Sequence, residues 1–244
     1  MINHTNYPNG NIYLSGGMQK AKKLGAAWRI LTSNVLKEIG YYPLDITALD
    51  RQYCDSHGEL YHSFGSSGKH HLQMKSNIRK HFVHTDTKLI EHYADGVILY
   101  YDDSVRLGAG TISEAQVSYD LGLPVFIVNS YKTTNEVPGW LIALSTKIFD
   151  SFDELYVYLE DLPKGILKRD MYGNHNSNNE YLCSLCGDHF EKNKHHFVSK
   201  ISPLYCGPCV DVVSSTFEDH HDRYEFFQDQ IWNDLSLSIT HEEK

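Results

Sequence analysis

The sequence predicts an α/β fold, a three-layer domain in which about five parallel strands alternate with helices. Short apolar segments rich in β-branched and aromatic residues predict the strands, and segments with apolar residues at helical spacing predict the helices. The clearest unit spans residues 96–128, where a strand, a glycine-containing loop, a helix and a second strand follow one another. A small module with four cysteines and a C-terminal helix are predicted to follow this domain.

The first predicted unit is a strand, a Gly-Gly turn and a helix. Asn11–Ser15 is the strand, Gly16 and Gly17 follow it, and Gln19–Ile39 is the helix. Apolar residues share one face of that helix: Leu24, Ala27, Trp28, Leu31, Val35 and Ile39. The glycines would let a ligand approach the backbone, and the helix N-terminus would offer free N–H groups to an anion. For the two glycines alone an ordinary tight turn is the favoured interpretation, because the sequence here lacks GxGxxG and GxxxxGK[ST] motifs.

Two segments lie between the first unit and the central one. Tyr41–Leu44 is predicted to be a second strand, and the irregular stretch at residues 46–75 is interpreted as a lid over the crevice. His71–Tyr93 is predicted to be helical, with a break near Val83–Thr85.

The central unit carries the first candidate catalytic residue. Gly96–Tyr101 is a strand, Asp102–Gly110 a loop, Thr111–Leu121 a helix and Pro124–Val128 the next strand. The loop at the carboxyl end of a parallel strand is where α/β sheets bind ligands. Glu114, in the first helical turn beside the glycines, is therefore a candidate catalytic carboxylate. It also suits an ordinary helix start, where a carboxylate complements the helix dipole.

Two elements complete the predicted domain, residues 1–163. Lys147–Phe149 is the last strand, and a capping box from Ser151 to Glu154 opens a helix that ends near Leu162.

Composition limits the function classes. The formal net charge of −9 argues against a dominant nucleic-acid-binding surface, although a local one remains open. The sequence contains no apolar run of about 18 residues and no secretory signal at its N-terminus, so no membrane partner is expected. We expect a cytoplasmic protein.

Four motifs follow one another between residues 10 and 160. They are Tyr13-Leu-Ser-Gly-Gly-Met18 with Trp28-Arg29, Tyr42-Pro43, Arg79…Asp86…Ala94-Asp95-Gly96-Val97, and Gly110-Thr111-x-x-Glu114 with Gly122-x-Pro124-Val125. This ordered set resembles the nucleoside 2-deoxyribosyltransferase-like family. That family includes deoxynucleoside-monophosphate N-glycosidases and small phage-encoded members, for which the compartment would be the host cytoplasm.

The resemblance implies a flavodoxin-like, Rossmann-like fold and cleavage of an N-glycosidic bond, by hydrolysis or base exchange. The substrate would be a deoxyribonucleoside or its 5′-monophosphate. By the same resemblance Glu114 attacks the anomeric carbon, Asp86 acts on the base or assists its protonation, and Tyr13 orients the nucleophile. An oxocarbenium-like transition state needs a carboxylate on one face and a proton donor for the leaving base, which a pair of carboxyl groups supplies.

The resemblance also indicates residues that bind substrate: Gly16, Gly17, Met18, Arg79, Arg106, Gly108, Gly110 and Thr111. Arg106 would suit a phosphate, which favours a nucleotide substrate. This sequence departs from the transferases in two features. Residues Asp103–Gly108 stand where the transferases have an Asp before their glycine loop, and Glu114 lies farther from the glycines than the corresponding Glu of the transferases does. We expect no organic cofactor, and we expect the protein to form a homo-oligomer.

A metal module is predicted at the C-terminal end. Cys183 and Cys186 form one CxxC pair, and after nineteen intervening residues Cys206 and Cys209 form another. Four thiolates at this spacing can close a tetrahedral site around a structural Zn²⁺. We therefore predict a linker at residues 164–180 and a zinc-ribbon-like module at residues 181–244. The module would end in an amphipathic helix, Phe217–Leu235.

Two alternatives remain open at this stage. The α/β domain could bind a nucleotide without cleaving it, while the zinc module contacts nucleic acid or protein. An HNH-like nuclease is less favoured: His195 and His196 lie between the CxxC pairs, but residues 197–205 are too few for the rest of that motif.

Overall fold

The computed structural model describes residues 7–18, 21–47, 75–76, 78–106, 109–131, 136–169, 180–191, 206, 208–209 and 212. Its strands are β1 (Gly10–Gly16), β2 (Tyr41–Leu44), β3 (Gly96–Tyr101), β4 (Val125–Asn129), β5 (Lys147–Phe149), β6 (Glu180–Leu182) and β7 (His189–Glu191). Its α-helices are α1 (Ala26–Glu38), α2 (His84–Tyr93), α3 (Asp103–Arg106), α4 (Gly110–Asp120), α5 (Gly139–Leu144) and α6 (Phe152–Asp161).

The predicted α/β fold with a five-stranded parallel sheet is confirmed. The strand order is β2-β1-β3-β4-β5, and every neighbouring pair is parallel. Alternate residues of each strand face opposite sides of the sheet, and both sides are covered. Ile98 and Phe126 pack with α1 and α6 on one side, whereas Leu99 and Ile127 pack with α4 and α5 on the other.

Helix α1 differs from its prediction in both its start and its buried face. A 3₁₀ turn, Lys22–Gly25, precedes it, and Gly25 at the N-cap has a φ of 67°, in the left-handed region that favours glycine. Leu31, predicted to face the core, is 66% exposed. The helix instead buries Ala26, Arg29, Thr32, Ser33 and Leu36. Arg29 and Thr32 on this face make hydrogen bonds inside the protein. Trp28 and Ile39 of the predicted face pack against the core, so the apolar pattern was right for those two residues and wrong for Leu31.

Helix α4 and the loop before it also differ from prediction. The loop predicted at residues 102–110 contains the short helix α3, and α4 begins at Gly110. Of the apolar residues here, Tyr119 is 43% exposed and Leu121 at the helix end is 39% exposed. Thr111, Ala115 and Ser118 form the buried face instead.

The helical segment around Asp86 agrees with its prediction, including the irregularity. A π-helical turn, Arg79–Val83, leads into α2, close to the predicted break. Residues 48–74, most of the predicted lid, lie outside the described part of the chain.

The first residues of the predicted linker pack against the α/β domain. Ile166 and Leu167 join the buried cluster of α1 and α6. The backbone N–H of Arg169 donates to Asp95 Oδ1 at 2.8 Å, and Asn11 N–H donates to Asp95 Oδ2 at 2.8 Å. Asp95 thereby ties residues 164–169 to the start of β1.

Strands β6 and β7 form an antiparallel hairpin around the first CxxC pair, and this hairpin packs on the sheet edge. The Tyr158 hydroxyl of α6 donates to the Gly187 carbonyl at 2.5 Å. Lys147 Nζ of β5 lies 3.7 Å from Asp188 Oδ1. The predicted helix Phe217–Leu235 and the two histidines between the CxxC pairs lie outside the described residues. No helix in the described ranges has the length and apolar character to cross a membrane.

Candidate active site

Glu114 lies beside the carboxyl end of β1, where two hydroxyl groups hold its carboxylate. The Tyr13 hydroxyl donates to Oε1 at 3.1 Å, and Ser15 Oγ donates to Oε2. Tyr13 and Ser15 are two residues apart on β1 and therefore face the same side of the sheet. Both donors are buried, with 0% and 1% exposure, whereas Glu114 is half-buried. Each oxygen of the carboxylate is thus held by a separate buried donor.

Burial sets the proton affinity of this group. It raises the pKa of Glu114 above the ordinary glutamate value, while the hydrogen bonds from Ser15 and Tyr13 and the positive charge of Arg29 act in the opposite direction. Burial, together with the negative charges of Glu114 and Asp86, raises the pKa of Tyr13 well above its ordinary value. Tyr13 is therefore a neutral phenol at physiological pH and a permanent hydrogen-bond donor to Glu114.

Asp86 and Glu114 act on the same phenol. Asp86 is half-buried in the first turn of α2, a helix that packs against α4. Its charge contributes to the raised pKa of Tyr13, as does that of Glu114. Two carboxyl groups on separate helices therefore interact electrostatically with the phenol of Tyr13.

Close packing explains the Gly-Gly turn after β1. A Cβ added to Gly16 would lie 2.8 Å from Trp28 Cζ2, and one added to Gly17 would lie 1.9 Å from Ser104 Oγ. Real Cβ atoms do not approach other atoms so closely, so a side chain at either position would force its neighbours to shift. Protein atoms occupy this space, and the ligand-binding role predicted for the two glycines stays a prediction. Met18, which follows them, is half-buried.

Arg29 holds the turn from the side of α1. Its guanidinium is buried, at 1% exposure, and donates from Nη2 to the Gly16 carbonyl at 2.8 Å and from Nε to the Leu14 carbonyl at 3.3 Å. It also donates to the Gly25 carbonyl at 3.3 Å and lies 4.6 Å from the centroid of the Trp28 ring. A buried cation thus binds the end of the strand that carries Tyr13 and Ser15.

The remaining predicted substrate-binding residues are distributed around this edge. Arg79 is exposed in the π-helical turn. Arg106 is exposed, lies 3.8 Å from Glu136 and hydrogen-bonds to Tyr131, so its described partners are protein groups. Gly110 is exposed, and a Cβ added there would have no atom within 4 Å. Thr111 is buried on α4, and Gly108 lies outside the described residues.

Sequence reasoning assigned no role to Ser15 and Arg29. Ser15 could have been found from its position, because it shares a strand face with Tyr13 and comes just before the glycines. Arg29 gave a weaker signal: it is in phase with Ala26 and Leu36, but an arginine is rarely expected on a buried helix face.

The four cysteines of the CxxC pairs, called the four-cysteine cluster below, come together as predicted. The sulfur atoms of Cys183, Cys186, Cys206 and Cys209 all lie within 4.8 Å of one another. Asp188 N–H donates to Cys186 Sγ and Cys206 N–H donates to Cys183 Sγ, each at 3.4 Å. Burial works to raise the pKa of Cys183, but backbone N–H donors outweigh it and lower that pKa. The cluster could bind a metal such as zinc.

Comparisons with known proteins include a distant structural likeness. No family model matches the sequence, and no curated protein does either. A solved 2-deoxyribosyltransferase from the psychrotolerant bacterium Bacillus psychrosaccharolyticus is similar, with a TM-score of 0.42 and 17% sequence identity. The likeness covers 64% of this chain and 95% of that one. At this identity and TM-score it says nothing about the reaction or the substrate.

Proposed function

We propose that this protein cleaves the N-glycosidic bond of a deoxyribonucleoside or its 5′-monophosphate, with Glu114 as the nucleophile. The observation that carries the proposal is the arrangement of Glu114, a half-buried residue whose carboxylate is held by two buried hydroxyl groups beside the carboxyl end of a central parallel strand. This edge of an α/β sheet is where ligands bind. The motif resemblance supplies the reaction class, and the geometry supplies a group suited to it.

The reaction needs two carboxyl groups. A Glu114 oxygen attacks C1′ of the sugar, the C1′–N bond breaks, and its electron pair stays on the base, which takes a proton from the Asp86 carboxyl group. Water then attacks C1′ of the glycosyl ester, its proton passes to the Asp86 carboxylate, and Glu114 leaves as a carboxylate. A second base in the place of water gives base exchange with the same proton balance.

The surroundings of Glu114 suit a nucleophile. Burial makes the carboxylate more basic than an exposed one, and basicity favours attack as long as the group is ionised. The donors Ser15 and Tyr13 and the charge of Arg29 favour the ionised form. The phenol of Tyr13 keeps its proton, so it cannot compete with Asp86 as the acid for the leaving base.

We also propose that the four-cysteine cluster holds a structural zinc ion. Zn–S bonds of about 2.3 Å put two sulfurs of a tetrahedral site about 3.8 Å apart, and the Cys186 and Cys206 sulfurs are 3.7 Å apart. With four protein ligands the site would be closed to substrate. When bound, zinc would stabilise the module and take no part in glycosidic chemistry.

Release of free base tests the proposed reaction. Purified protein is incubated with deoxynucleosides and their 5′-monophosphates, with and without an acceptor base. We expect release from one of the two classes and a rate lower by about 1,000-fold or more in Glu114→Gln. Glu160→Gln, an exposed glutamate of α6, is the matched control and should keep the wild-type rate. A folded wild-type protein that binds these compounds but releases no base would overturn the proposal and favour the nucleotide-binding alternative.

A further inference from the structure

We propose that Ser15 is a positioning residue, which holds the Glu114 carboxylate in the orientation needed for attack and acts only through Glu114. The catalytic part of this proposal rests on the proposed function. The hydrogen bond by which Ser15 holds Glu114 is seen in the structure itself. Ser15 is 1% exposed, so its hydroxyl has no access to substrate. Its described side-chain contact is with Glu114 Oε2.

Two donors on different oxygens fix a carboxylate more completely than one. Tyr13 binds Oε1 and Ser15 binds Oε2, so rotation about the Cγ–Cδ bond of Glu114 breaks both hydrogen bonds. With Tyr13 alone, the carboxylate plane could pivot about the one remaining hydrogen bond. A nucleophile must hold its attacking lone pair toward C1′ within a small angle. Ser15 therefore supplies the second of two constraints on that angle.

The backbone that carries Ser15 is itself held on both sides. Ser15 pairs with Leu99 in the register of β1 with β3. A Cβ added to the next residue, Gly16, would lie 2.8 Å from Trp28 Cζ2, and the Gly16 carbonyl accepts from Arg29 at 2.8 Å. The backbone of Ser15 is consequently anchored by strand pairing on one side and by the Arg29 hydrogen bond to Gly16 on the other.

The electrostatics of the site agree with this role. Among the groups that oppose the effect of burial on the pKa of Glu114, the hydrogen bond from Ser15 is the largest, ahead of Tyr13 and Arg29. The ionisable groups with described interactions here are Tyr13 on β1, Arg29 on α1 and Asp86 on α2, which acts on Tyr13. Removing Ser15 leaves those three in place, so the pKa of Glu114 should rise.

Ser15→Ala tests the proposal on the deoxynucleoside or 5′-monophosphate that gives base release. We expect kcat to fall about 10- to 100-fold, the loss of one hydrogen bond to a charged group. KM should change less than about threefold, since uniform substrate binding is untouched. The acid limb of the kcat/KM profile should move to higher pH. Ser15→Cys has a side chain of similar shape and keeps a weak donor, so it should change kcat and the acid limb less than Ser15→Ala does. It also provides a test if the alanine variant folds poorly.

Ser118→Ala is the matched control. Ser118 is as buried as Ser15, but its hydroxyl donates to the backbone carbonyl of Glu114 at 2.7 Å and not to the carboxylate. It should leave the acid limb where the wild-type protein has it. Equal shifts in Ser15→Ala and Ser118→Ala, or an unchanged kcat in Ser15→Ala, would overturn the positioning role.

Unfolding measurements separate this proposal from the proposed function. Ser15→Ala should destabilise the protein more at pH 7 than at pH 4, because only the ionised carboxylate depends strongly on the donor. In a Glu114→Gln background this pH dependence should vanish. If wild-type protein releases no base but this coupling is present, the proposed function fails and the hold of Ser15 on Glu114 stands. If base is released but the coupling is absent, the proposed function stands and the positioning role of Ser15 fails.

Discussion

Replacing Glu114 by glutamine should stabilise the folded protein at neutral pH, although it removes the proposed nucleophile. Burial disfavours the charged carboxylate, so the folded protein holds the Glu114 proton more tightly than the unfolded chain does. The wild-type protein therefore loses stability as pH rises through the raised pKa of Glu114, from the ordinary value of 4.5 upward. Glutamine has the same shape without the charge, and it escapes this loss.

The size of the gain follows from the competing contributions at the site. Burial is the largest contribution to the raised pKa, and it outweighs the two hydroxyl donors and Arg29. The amide keeps an acceptor for one hydroxyl, and its NH₂ group can donate to the other. Stabilising replacements at such sites contribute about 0.5–2 kcal/mol. In a chain of this length that corresponds to a rise in Tm of about 1–8 °C.

Thermal unfolding of zinc-loaded protein, followed by circular dichroism at pH 7 and pH 4, measures the effect. Glu114→Gln should unfold at a higher temperature than the wild-type protein at pH 7, and the difference should shrink at pH 4. Glu160→Gln removes an exposed charge and should show no such pH dependence. A Glu114→Gln protein that is less stable at pH 7, or equally shifted at both pH values, would refute the assignment of a carboxylate made costly by burial.

Two further predictions follow from packing. Gly17→Ala should destabilise the protein by about 1–3 kcal/mol in urea unfolding, because its Cβ would lie 1.9 Å from Ser104 Oγ. Gly110→Ala is the control and should be tolerated, because a Cβ at that position faces open space. Equal destabilisation by the two substitutions would contradict this prediction. Removal of metal from the four-cysteine cluster by a chelator should lower the Tm of the α/β domain as well, because Tyr158 bonds to Gly187 at 2.5 Å. Tyr158→Phe should make the Tm of the α/β domain less sensitive to the chelator. An unchanged Tm of the wild-type protein on chelation would argue against a link between the two parts.

The sheet could be predicted from the sequence because parallel strands are buried on both faces. Such strands appear as short, nearly continuous apolar segments, and Gly96–Tyr101 and Val125–Asn129 are clear examples. The buried face of helix α1 was harder to predict, because two of its residues are polar and make hydrogen bonds to groups distant in the sequence. Thr32 Oγ1 lies 2.8 Å from the Tyr156 hydroxyl, and Arg29 binds the end of β1. No local pattern reports partners so far apart in the chain.

The candidate site was predictable only in part. The motif resemblance selected Glu114, Tyr13 and Asp86, and the first two are hydrogen-bonded in the structure. The contact between Ser15 and Glu114 joins residues 99 positions apart, and it depends on the register of β1 with β3 and on the position of α4. Such a contact needs the fold before it can be seen.

Detection of a glycosyl group on Glu114 tests the central claim most directly. Wild-type protein is mixed with the substrate that gives base release, quenched in acid within a single turnover, digested with a protease and analysed by mass spectrometry. The account predicts a peptide that contains Glu114 and carries the mass of one deoxyribosyl group, with or without phosphate, and no such adduct in Glu114→Gln. Rapid base release without any adduct, or undiminished release by Glu114→Gln, would contradict it.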